Sequence, residues 1–97
     1  MIPQLGARIR ALRIEQGLLL RQLAATLNMD TALLSKIERG ERSIKKEQVP
    51  QIAQVLKATK EELLTLWLAD QVMDVLKDEK LADEALKTVS KNIKKKY

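Results

Sequence analysis

Residues 17–40, GLLLRQLAATLNMDTALLSKIERG, carry two short apolar patterns at helical spacing with a three-residue turn between them, and this unit restricts the fold most. In its first half Leu23, Ala24 and Leu27 recur at i, i+1 and i+4, which makes one narrow apolar face. Asn28-Met29-Asp30 supplies the turn, and the Asp30 carboxylate is suited to accept from the free amides of the next turn. In its second half Leu34 and Ile37 point inward. That leaves Thr31, Ala32, Ser35, Lys36 and Arg39 on the other side. Gly40 follows the last apolar position, where a left-handed residue ends a helix.

The flanking sequence reads as helix as well, so an all-α fold is expected. Gly and Pro are scarce, strand alternation is absent, and the 3.6-residue period runs from end to end. A first helix is predicted over about residues 3–16, with Pro3 in its first turn, Leu5, Ile9 and Leu12 buried, and Gly17 ending it. After a loop from Gly40 to about Lys45, a fourth helix is expected near 46–57, with Val49, Ile52, Ala53 and Leu56 facing the core. Pro50 lacks an amide donor and belongs in its first turn. Thr59-Lys60-Glu61-Glu62 predicts a capping box, with Thr59 capping and Glu62 reaching back.

The fifth helix carries Leu63, Leu64, Leu66, Trp67 and Leu68, too many apolar residues for one stripe. Part of that surface is expected to meet another chain, with Leu63, Leu66 and Trp67 as the candidate dimer interface. Trp67 fits the intrachain core equally well. The helix can continue through Val72, Met73, Val75 and Leu76 until Lys77-Asp78-Glu79-Lys80 breaks the pattern. A last helix over about 80–94 carries Leu81, Ala82, Ala85, Leu86, Val89 and Ile93 and ends in a lysine cluster that complements the helix dipole.

Composition narrows the chemistry. With no Cys and no His, disulfides, thiol catalysis, ordinary zinc sites and histidine general-base catalysis all drop out. Glu61-Glu62, Asp78-Glu79 and Asp83-Glu84 are sequence neighbours, and neighbours on a helix do not converge on one site. No enzymatic activity, metal, cofactor or small-molecule ligand is expected. Neither a signal peptide nor a membrane span is read, so the expected location is the cytoplasm.

The charge is segregated. Residues 1–46 hold nine Lys/Arg against four acids, whereas residues 47–97 hold nine of each, so the whole net charge of +5 falls in the first half. A scattered solvated surface does not account for that division, and a nucleic-acid footprint does. The hydroxyls, methyl and ammonium around Lys36 suit base edges, thymine methyls and phosphates.

Ser35-Lys36-Ile37-Glu38-Arg39-Gly40-Glu41-Arg42, with Leu23-Ala24, Leu27 and Met29 upstream at matching spacing, resembles the recognition-helix region of the Cro/cI (XRE) helix-turn-helix family. The resemblance covers roughly residues 5–68. It implies a five-helix lambda-repressor-like domain over residues 1–68. The C-terminal helical extension over 69–97 lies beyond the resemblance and is expected to serve dimerisation. The resemblance also implies a homodimeric transcription regulator of bacterial or phage type, acting on double-stranded DNA near the nucleoid. Thr31, Ala32, Ser35 and Lys36 match the positions that face the major groove, and Leu33 lies at the rim. Arg21, Gln22, Arg39, Arg42, Ser43, Lys45 and Lys46 are the expected phosphate contacts. Arg13 and Glu38 match a salt bridge that ties the first helix to the recognition helix.

Where the family begins its second helix with Ser/Thr and Gln, this chain has Leu19 and Leu20, so that cap and phosphate clamp are missing, and Arg21 and Gln22 are the candidates to substitute for them. Among the family's small members, the layout is most like a restriction–modification controller protein that regulates its own promoter. The alternative is an antitoxin or phage-type repressor whose C-terminal helices hold a protein partner.

Overall fold

In a computed structural model, which describes residues 3–97, six α-helices follow one another, with no strand among the described residues. They are α1 (Gln4–Glu15), α2 (Leu20–Thr26), α3 (Thr31–Glu38), α4 (Val49–Val55), α5 (Lys60–Leu76) and α6 (Ala82–Lys96). The architecture is the expected all-α one: a five-helix, lambda-repressor-like helix-turn-helix domain followed by an additional helix. A 3-10 turn at Lys46–Gln48 precedes α4, so α-helix proper begins at Val49 and Pro50 sits in its first turn.

One device recurs at the helix ends. Each of α1 to α5 is followed by a residue with positive φ: Gly17, Asn28, Gly40, Lys57 and Asp78. After α1 to α4 the paired return bonds of a Schellman motif form, as in Met29 N–H to Ala24 C=O at 2.8 Å and Asn28 N–H to Ala25 C=O at 3.1 Å. These bonds satisfy carbonyls that a helix end otherwise orphans, and they turn the chain sharply enough for short helices to share one core.

That core is built from Ile9, Leu23, Leu34, Val49, Ile52, Leu56 and Leu63, all fully buried, with α1 packed on α3 and α5, α2 on α3, and α4 on α5. Leu18 and Leu20 pack against its edge while Leu19 is exposed, so the three-leucine run is a core border with one outward member. Leu63 has no exposed surface and cannot serve a dimer interface, because α5 turns it into the centre of its own chain. Leu66 and Trp67 are half-buried against the same core, and the Trp67 indole N–H donates to the Ile44 carbonyl at 2.8 Å.

The capping box at α5 is half formed. Thr59 Oγ1 accepts from the Glu62 amide at 3.1 Å, but the Glu62 carboxylate is held by Arg8 of α1 at 2.6 Å instead of reaching back. A charged hydrogen bond outcompetes a neutral one for that carboxylate. The helix runs unbroken through residue 68 to Leu76, and α6 buries none of its residues. The radius of gyration, 15.1 Å, exceeds the roughly 13 Å of a packed globule of this length.

Candidate nucleic-acid interface

Asp30 caps α3, accepting from the Ala32 amide at 3.3 Å, and Leu34, Ile37 and Glu38 are its buried residues. On the opposite side Thr31, Ala32, Lys36 and Arg39 are exposed and Ser35 is half-buried. Positions 32, 35, 36 and 39 follow one another along one face, as i, i+3, i+4 and i+7 spacing requires. Leu33 packs partly against the core, at the border of the two faces.

The inner end of α3 is clamped. Arg13 Nε donates to Glu38 Oε2 at 2.8 Å and Nη2 donates to Oε1 at 3.0 Å, a two-pronged pair with side chains only 13% and 4% exposed. The third arm, Nη1, donates to the Leu18 carbonyl at 2.9 Å, just before α2. One guanidinium therefore ties α1 to the end of α3 and to the start of α2. The Glu38 hydrogen bond holds the guanidinium above its ordinary pKa against opposing burial, and the carboxylate's charge adds to this.

Close backbone approach completes the clamp. Gly6 of α1 is buried, and a Cβ there would lie 3.0 Å from the Glu38 carbonyl oxygen and closer still to that of Ile37. Farther along, the Asp70 carboxylate of α5 accepts from the Gln4 and Leu5 amides at 2.7 and 2.9 Å. Pro3, the N-cap residue of α1, makes no side-chain cap, so a residue of α5 supplies one.

The cations divide into two groups. Arg8, Arg13 and Arg39 are paired with Glu62, Glu38 and Glu41. Arg10, Arg21, Lys36, Arg42, Lys45 and Lys46 make no ion pair among the described residues and are exposed. Exposed pairs such as Arg39–Glu41 are weak, so a phosphate can compete for that arginine. Ser43 is exposed in the loop after α3, and the Lys45 amide donates to Gln48 Oε1 at 2.8 Å.

Gln22 acts at the start of α2. Its Oε1 accepts from the Leu19 amide at 2.8 Å, the reciprocal half of a capping box whose other half the Leu19 side chain cannot make, and its amide nitrogen is left for other partners. The residues missed by sequence reasoning are Gly6 and Asp70, which act on partners in distant elements.

A profile of the family described as "Helix-turn-helix domain" matches residues 4–66, the segment from α1 into α5. The chain belongs to the helix-turn-helix domain family. Two crystal structures of the clp gene regulator ClgR from Corynebacterium glutamicum resemble this helix-turn-helix protein. One is 29% identical with a TM-score of 0.59, covering 68% of this chain and 85% of that one. The other is 27% identical with a TM-score of 0.59, covering 88% and 84%, so the likeness extends past residue 66. No curated protein matches the chain. Family and fold are those of a helix-turn-helix DNA-binding protein. Among the described residues no helix is long and apolar enough to cross a membrane.

Proposed function

We propose that this protein is a sequence-specific transcription regulator that binds as a homodimer to a roughly palindromic operator on bacterial or phage DNA in the cytoplasm. The observation that carries the reading is the division of α3. One face is locked to α1 through Arg13, Glu38 and Gly6, and the other offers Thr31, Ala32, Ser35 and Lys36 outward. A helix held in this way can place its side chains against base edges without losing its register. The unpaired cations Arg21, Arg42, Lys45 and Lys46, with Gln22, Ser43 and the weakly held Arg39, supply phosphate contacts that position α3. The likeness to a gene regulator at 27–29% identity supports the regulatory part of the reading.

Autoregulation through occupancy of its own promoter fits such a dimer, because occupancy rises steeply with concentration. The narrower restriction–modification controller type rests on the sequence resemblance alone. The exposed apolar face of α5 and α6 favours a second reading, in which those helices hold a protein partner, as in an antitoxin. A wild-type protein that stays monomeric in isolation would favour it.

Lys36→Ala tests the site. The variant is expected to lose about 1–3 kcal/mol on its operator and much less on unrelated DNA, because a base contact discriminates. Equal loss on both sequences, with a salt slope smaller by about one, would make Lys36 a phosphate contact instead. Titration of operator and random duplexes at several salt concentrations separates the two outcomes.

A further inference from the structure

Helix α6 leaves its apolar side about half uncovered. Leu86, Val89 and Ile93 are 48%, 52% and 53% exposed. With Val72 and Val75 of α5 they line an open apolar groove of about 460 Å³. An uncovered face of this size on a protein otherwise well packed marks an interaction surface.

Two features of α6 say what covers it. Its apolar positions Ala82, Leu86, Val89 and Ile93 are spaced four, three and four, the seam of a packed helix pair. That spacing reads identically in both directions. A second α6 laid antiparallel about a two-fold axis between Leu86 and Val89 therefore sets Leu86 against Val89, and Ala82 against Ile93, on both sides at once. The charges point the same way. Asp83 and Glu84 occupy the first turn, and Lys91, Lys94, Lys95 and Lys96 the last two. Antiparallel pairing places acidic starts beside basic ends and opposes the helix dipoles, whereas parallel pairing stacks like charges.

We propose that the occupant is a second copy of this chain, its α6 paired antiparallel with the first through Ala82, Leu86, Val89 and Ile93 and seated in the groove against Val72 and Val75. This rests on the dimeric reading above and deepens it. Asp70, on the same α5, caps α1, and α1 holds α3, so the pairing sets the separation of the two recognition helices.

Sedimentation equilibrium and cross-linking test the proposal. Wild type is expected to be a dimer. Leu86→Asp, at a half-exposed position on a helix that buries none of its residues, should raise the dimer dissociation constant about 100-fold or more with helical content unchanged. The chain has no Cys, so single-cysteine variants report orientation. Asp83→Cys and Lys94→Cys should each give little self-cross-link with a short bis-maleimide, while their mixture cross-links.

A wild-type monomer at tens of micromolar, a Leu86→Asp dimer as tight as wild type, or efficient self-cross-linking of Asp83→Cys would overturn the antiparallel seam. The two readings fail separately. A dimer of this geometry that selects no DNA sequence leaves the pairing standing without the regulator. A Leu86→Asp protein that remains dimeric and binds an operator does the reverse.

Discussion

Arg13 is the residue on which the recognition helix depends most. Its three donors reach Glu38 twice and the Leu18 carbonyl once, from a site where both charges are largely removed from water. Arg13→Ala leaves the Glu38 carboxylate buried and alone, and should cost about 3–5 kcal/mol of stability. Replacing both by apolar residues, Arg13→Met with Glu38→Leu, should recover most of that loss, because it removes the orphaned charge along with the pair. Denaturant unfolding of the three variants measures the difference. Arg13 contributes no pH dependence near neutrality. Its pKa is raised, so stability from the charged form is fully present below the ordinary guanidinium value and is lost only above it.

Gly6 gives a prediction of opposite sign to helix propensity. Inside α1 an alanine should be favoured by about 1 kcal/mol. The carbonyls of Ile37 and Glu38 leave no space for its methyl group, so Gly6→Ala should destabilise by about 1–3 kcal/mol. A higher melting temperature for Gly6→Ala would show that α1 and α3 can separate freely. Arg13 and Glu38 were legible in the sequence through the family resemblance. Gly6 was not, because its role is set by two carbonyls more than 30 residues away.

At the scale of elements, the helix ends divide into those that announce themselves and those that do not. Gly17, Gly40 and the Asn28-Met29-Asp30 turn mark three of the five left-handed caps in the sequence. Lys57 and Asp78 carry no such signal. At Lys57 the positive φ turns the chain so that α5 returns to the core, whereas α6, after Asp78, buries none of its residues. The same limit applies to the start of α1. Its cap is Asp70, 66 residues from Gln4, which no local pattern can reveal. Asp70→Ala should cost about 0.5–2 kcal/mol and should fray the first turn of α1 before the rest unfolds. Amide hydrogen exchange at Leu5 and Gly6 reads that directly, and unchanged protection would show that the cap is idle.

The apolar excess of α5 was legible as an excess, but its assignment was not. Leu63 proved to be core and Trp67 is tied to Ile44, while the exposed surface lies farther along, at Val72 and Val75 and across on α6. Composition counts apolar residues without saying which side of the helix the core will claim.

At the scale of the whole molecule, the parts form one chain of restraint. The exposed face of α6 meets α5 at a groove, α5 caps α1 through Asp70, and α1 clamps α3 through Arg13 and Gly6. Whatever fixes two copies together at the α5–α6 end therefore fixes the separation of two reading faces. The charge segregation that pointed to DNA survives in smaller form: Arg8 and Arg13 are used within the fold, and of the cations in residues 1–46, Arg10, Arg21, Lys36, Arg42, Lys45 and Lys46 make no ion pair among the described residues.

In the proposed homodimer, α3 reads bases twice, across a two-fold axis. Selection of binding sites from randomised duplex DNA with the purified protein tests it most directly. An enriched palindrome is expected, with half-sites about 34 Å, one helical turn, apart or at a multiple of it. Weak, salt-sensitive binding with no enriched sequence would contradict it.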